Sequence, residues 1–170
     1  MNNNKLTESE IGHHIFNIVN KELKEFKQKV KGKKTASPYY LMVNDKGETT
    51  KVVNLFELPK EAHSSFLNPI LKEMDIEYLI LVAESTTLSD TIKRDRIDWD
   101  EIYKKYGSLE NHPAKVDLVS VIIYSKSNTY IGSAPIKVMS SKKSIRTFGD
   151  LKWKNRGEGF EQGNLTGFFQ

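Results

Sequence analysis

The chain contains no cysteine among its 170 residues. That excludes disulfides, thiolate metal sites and cysteine nucleophiles. Long apolar runs are missing too: the longest, Tyr78–Ala83, falls far short of the ~20 residues that cross a bilayer. The opening Met1-Asn2-Asn3-Asn4-Lys5 is polar and no apolar stretch or lipidation motif follows it. The reading therefore predicts no signal peptide and no membrane anchor, and a cytoplasmic protein. Histidine is scarce, with four residues. His13 and His14 are adjacent on a helix and diverge by about 100°, too far for one ion. No histidine stands in an HExxH or HxE…CxxC arrangement, and no serine in a G-x-S-x-G elbow. Gly157-Glu158-Gly159 lacks the third glycine and the flanking strand and helix of a nucleotide fold. No cofactor is expected.

What is present is an ordinary globular composition, 38% hydrophobic and 28% charged, in a length that suits one domain. The expectation is a single domain over 1–170, with a polar excursion at 88–115 and a loop-like tail at 155–170. Charge is unevenly placed. Residues 21–34 hold seven lysines against Glu22 and Glu25; residues 137–156 hold seven bases against Asp150. Two basic segments thus flank an acidic body, the pattern expected for an anionic partner, nucleic acid foremost. Phe148 and Trp153 interleave with the second set and are candidates for stacking on bases. The predicted binding residues are Lys142, Lys143, Arg146, Lys152, Trp153, Lys154 and Arg156.

Periodicity gives the elements. Thr7 with Glu10 reads as a capping box, and Ile11, Ile15, Val19, Leu23, Phe26 and Val30 form one helical stripe ending near Gly32. Tyr39–Val43 and Thr49–Phe56 read as a hairpin around Asn44–Gly47. A helix over Lys60–Met74, with the stripe Ala62, Phe66, Ile70 and Met74, is expected to kink at Pro69. Glu77–Thr87 reads as the strongest strand, and its stretch Tyr78–Ala83 is apolar on both faces, as a central strand covered on both sides requires. Within the excursion, Asp98 and Glu101 cap a short helix that carries Trp99, Ile102, Tyr103 and Tyr106. Val116–Tyr124 and Thr129–Met139 pair as strands, the second read as an edge because of Gly132 and Pro135. Ile145–Trp153 reads as a sixth strand or a short helix. The order is α-β-β-α-β-(excursion)-β-β: an α+β (mixed α/β) fold with one central sheet of about five strands and helices packed on it.

Two residues are candidates for catalysis. Glu84 is the first charge after the apolar run, where a central strand is expected to end; a half-buried carboxylate there suits general acid–base work. His112, just before the next strand, faces it if the strands are neighbours. The acids Asp95, Asp98, Asp100 and Glu101 lack the alternation and mid-loop glycine of a calcium loop, so no metal is expected.

The helix–hairpin–helix–strand order resembles the deaminase and JAB-peptidase arrangements, but the zinc residues those families need are missing. Val82-Ala83-Glu84-Ser85, His112-Pro113 and Ala134-Pro135-Ile136 resemble a loose set of bacterial and phage proteins over about residues 38–140, a likeness that implies no activity. The leading expectation is a small binding protein of bacterial or mobile-element origin, an accessory factor for nucleic acid or protein. The alternative is an enzyme using Glu84 with His112. A second copy of the chain is a further candidate partner.

Overall fold

A computed structural model describes residues 8, 10–32, 35–88, 98–139, 145–155 and 167–169. Its elements are helix α1 (His13–Lys31), strands β1 (Tyr39–Asn44) and β2 (Thr49–Val52), helix α2 (Lys60–Glu73), strand β3 (Ile76–Leu88), helix α3 (Trp99–Tyr106), and strands β4 (Lys115–Tyr124), β5 (Thr129–Val138), β6 (Arg146–Phe148) and β7 (Lys152–Asn155). The strands form one antiparallel sheet of seven in the order β2-β1-β3-β4-β5-β6, with β7 also on β5. The sheet is larger than the five strands expected.

Strand β3 sits between β1 and β4, as its double apolar character required. Ile80 and Val82 leave one face to meet Phe16, Val19, Phe26 and Val30 of α1. Leu79 and Leu81 leave the other to meet Leu67 and Leu71 of α2. Regular α1 begins at His13, because Gly12 at φ 102° interrupts the turn before it. The expected cap, Thr7, lies outside the described residues. The hairpin turn needs Gly47, which sits at φ 78° with His14 against it; a Cβ there would stand 2.5 Å from His14 Nε2. The second hairpin strand ends at Val52, sooner than expected, and a 3-10 turn over Asn54–Glu57 buries Leu55.

Helix α2 buries a different face from the one the apolar stripe predicted. The buried residues are His63, Leu67 and Leu71, while Phe66 and Met74 are 53% and 42% exposed. The reason is His63. Its Nε2 faces the Leu58 carbonyl at 3.1 Å and so carries the proton, and its Nδ1 accepts from the Tyr40 hydroxyl at 2.9 Å. With both ring nitrogens satisfied, a polar residue enters the core without an orphaned group. Burial holds the Tyr40 phenol above its ordinary range, which keeps it an O–H donor. Pro69 does not break α2: the carbonyl it leaves without a partner belongs to Ser65, which is exposed to water.

Strand β5 is not an edge. β6 pairs with Ile136–Val138 and β7 with Tyr130–Ser133, so together they run along its outer side as one interrupted strand. The interruption, 149–151, lies opposite Ala134 and Pro135, where proline offers no N–H. Asp98 caps α3 as expected, accepting from Glu101 N–H at 3.1 Å, and Gly107 ends it at φ 78°. No residue of α3 is buried. Asn68 of α2 donates to the Gly167 carbonyl at 2.7 Å and accepts from Phe169 N–H at 2.8 Å. That clasp seats Phe168 on Tyr40 and Tyr124.

The Tyr124 hydroxyl is buried with no hydrogen-bond partner, whereas that of Tyr40 has one. Tyr40→Phe is therefore expected to cost about 1–2 kcal/mol, since His63 loses its donor, and Tyr124→Phe to be neutral within about 0.5 kcal/mol or stabilising. Urea denaturation of the two variants checks the order; equal losses would contradict it.

Candidate functional site: an open half of the sheet

The expected catalytic pair is not assembled. The strand of Glu84 runs over Ile76–Leu88, one residue longer at each end than expected, and so places Glu84 within the ladder. Leu88 pairs with Lys115 and Glu84 with Val119. Four residues of strand, about 14 Å, therefore separate Glu84 from the start of the ladder, and His112 lies before that start. The His112 ring packs edge-on against Tyr106 at 4.9 Å, and its Nδ1 accepts from Ala114 N–H at 3.0 Å. Glu84 has other partners. Its Oε1 accepts from Arg146 Nη1 at 2.6 Å, with the two side chains 7% and 14% exposed respectively. Its Oε2 accepts the backbone N–H of Ala36. One carboxylate thus ties β3, β6 and the segment after α1 together. Sequence reasoning placed Arg146 among the partner-binding bases; here it balances a buried acid.

Trp153 is likewise spoken for. It is 5% exposed and Phe148 4%. The indole packs on Phe16 at a centroid distance of 5.3 Å and lies so close over Gly132 that a Cβ there would stand 2.8 Å from it. Neither ring is available to stack on a base. Lys142, Lys143 and Arg156 lie outside the described residues. The lysines of α1 do not form a free field either: Lys27 covers the Phe148 ring at 5.4 Å and Lys29 the Tyr39 ring at 5.2 Å.

Strand alternation separates the remaining bases from these aromatics. On β7, Trp153 points to the α1 side. Lys152 and Lys154, its neighbours, point to the α2 side, where both are exposed. On β5, Ala134 and Ile136 belong to the α1 side, so Ser133, Pro135 and Lys137 leave from the other. Helix α2 covers only the near half of that other face, through Leu79, Leu81, Ile122 and Tyr124. Past Ala83 the cluster under α2 does not continue along β3, and the 3-10 turn Leu109–Asn111 touches β3 and β4. The register sets Ser120 beside Ser133 and Ser133 beside Lys152, and Ser85 Oγ meets Ser120 Oγ at 2.8 Å.

The result is a half-face on which Ser85, Ser120 and Ser133 lie beside Val116, Leu118 and Pro135, bordered by Lys137, Lys152 and Lys154. No acid projects from the described strands onto it: Glu84 and Asp117 leave on the α1 side, the latter held by Thr86 Oγ1 at 3.0 Å and Lys115 at 3.6 Å. Sequence reasoning named two of the three lysines but not the hydroxyls. The available signal was the alternation past Glu84, with Ser85 and Thr87 on the side opposite it. Two grooves lie elsewhere. One of about 590 Å³, lined by Phe16, Lys24, Lys27 and Trp153, separates α1 from 148–151. The other, of about 540 Å³, lies by Asp75, Glu77 and Phe169. Among the described residues no cluster of His, Asp and Glu can hold a metal, and no helix is long and apolar enough to cross a membrane.

Breaking the Glu84–Arg146 pair by Glu84→Gln or Arg146→Met is expected to cost about 3–5 kcal/mol, because the remaining partner is left buried without its counter-charge. The double variant Glu84→Leu/Arg146→Met should recover most of that, short of about 1 kcal/mol for the Ala36 N–H left without an acceptor. A double-mutant cycle in urea measures the coupling, and additive losses would contradict it. Comparison of the chain with protein-family models, curated proteins and solved structures gives no match, and the resemblances read in the sequence rest on those residues alone.

Proposed function

We propose that the protein binds nucleic acid on the open half-face bordered by Lys137, Lys152 and Lys154. The observation that carries this reading is the sign of the surface. Three exposed lysines and the serines Ser85, Ser120 and Ser133 lie on a face onto which no carboxylate projects from the described strands. The acids nearby in sequence, Glu84 and Asp117, leave on the opposite side, where each has a basic partner. A surface with one sign of charge recruits a polyanion by releasing its counterions. Serine hydroxyls beside lysines add donors to phosphate oxygens. The interior of the fold already accounts for Glu84, Arg146 and Trp153, which removes them from the contact set and leaves the lysines of the α2 side.

Filter retention or fluorescence anisotropy with DNA and RNA oligonucleotides tests this. Binding is expected at about 50 mM salt, with affinity falling steeply as salt rises. Lys137→Ala/Lys152→Ala/Lys154→Ala should reduce the slope of log Kd against log salt by about two to three. Lys21→Ala/Lys24→Ala/Lys31→Ala removes the same charge from the exposed side of α1 and is the control. If no oligonucleotide is retained at low salt, or if the α1 variant loses as much as the sheet variant, the proposal is wrong.

A further inference from the structure

We infer that the open half-face takes a polynucleotide by its sugar-phosphate backbone and leaves the bases unread, an inference that rests on the nucleic-acid reading above. The first ground is parity. Base recognition on a sheet needs rings on the contact face, and both rings of the basic segment, Phe148 and Trp153, leave on the other side and are buried there. The indole cannot swing out without vacating the space over Gly132, which has no Cβ because the ring fills its place. The side chains of the contact face, Ser85, Ser120, Ser133 and Pro135 among them, carry no aromatic group.

The second ground is the chemistry of the cations. Those on the face are lysines, which act as point charges. The arginine of β6, whose planar fork suits bidentate contact with guanine, is held by Glu84 on the opposite side. The third is their placement. Lys152 and Lys154 are two residues apart on one strand, about 7 Å. Lys137 lies on the neighbouring strand, four residues beyond Ser133, the register partner of Lys152, a further step of about 14 Å. The charges therefore line the β5–β7 margin along the strand direction, and a backbone following them runs parallel to the strands. Ser133 and Ser120 lie inward of that line, placed to donate to phosphate oxygens or to accept from a ribose hydroxyl.

The test is fluorescence anisotropy on the full chain with labelled homopolymers of equal length and with an abasic oligonucleotide of the same length, backbone without bases. The abasic strand is expected to bind within about threefold of the homopolymers; stacking of even one base would make it about fivefold weaker or worse. Ser120→Ala/Ser133→Ala should weaken all the ligands alike, by about threefold to tenfold, with the salt slope unchanged because no counterion release is lost. Circular dichroism confirms that the variant is folded. An abasic strand that binds more than tenfold weaker, or homopolymers that differ among themselves by as much, would show that bases are read. That overturns the inference while leaving the nucleic-acid reading intact. If neither the homopolymers nor the abasic strand binds at low salt, both fail.

Discussion

Side chains leave a β-strand alternately on opposite sides, and in this protein almost every structural assignment depends on which side a residue takes. From Tyr78 to Ala83 the even-numbered residues of β3 meet α1 and the odd-numbered ones meet α2, while Ile76, beyond the bulge, joins the α2 side. The same parity, carried through the ladder by register, places Trp153 in the core and its neighbours Lys152 and Lys154 in water. The two sides are covered unequally. α1 and the residues around β6 and β7 close one of them, while α2 and Phe168 close only part of the other. The uncovered remainder is the surface on which we propose that a ligand binds. Its polarity follows from the lack of cover, since a strand facing water carries serine, threonine and lysine where a covered one carries valine and isoleucine.

Two buried polar nodes fix how the layers sit. Glu84 joins Arg146 and the Ala36 backbone, bringing to its own strand two segments that lie 48 and 62 residues from it in sequence. His63 joins Tyr40 and the Leu58 carbonyl. Both are polar contacts set against the apolar clusters, where a missing partner would cost more than the intact contact contributes. They restrict the helix rotations and the register compatible with the core, which apolar packing alone leaves looser.

The local signals of the fold were legible in the sequence. The stripe of α1, the glycine of the hairpin turn, the Asp98 cap and the two-sided apolar run of β3 each depend on residues close together in the chain. What was not legible depends on distant partners. The buried face of α2 is displaced from the apolar stripe because His63 finds Tyr40, a contact that periodicity treats as a polar residue out of place. Glu84 read as a lone acid at a strand end because Arg146 is remote from it. The second basic segment read as a single patch because it was taken as a string of charges; once it is a strand, alternate residues part company. Reading it as a string of charges assigned the aromatic and cationic residues to the same side.

The clasp that Asn68 makes with the backbone of Gly167 and Phe169 spans 99 and 101 residues. Closing so long a loop incurs its entropic cost before any contact returns it. The seat that Phe168 occupies is itself built from Tyr40 and Tyr124, on two different strands of the sheet. Neither half of the arrangement exists until β1 and β4 flank β3 and α2 has docked. The α2-side core is thus sealed from the outside by a segment whose seat is built from the layers beneath it, so that a disturbance of either layer is felt at Phe168.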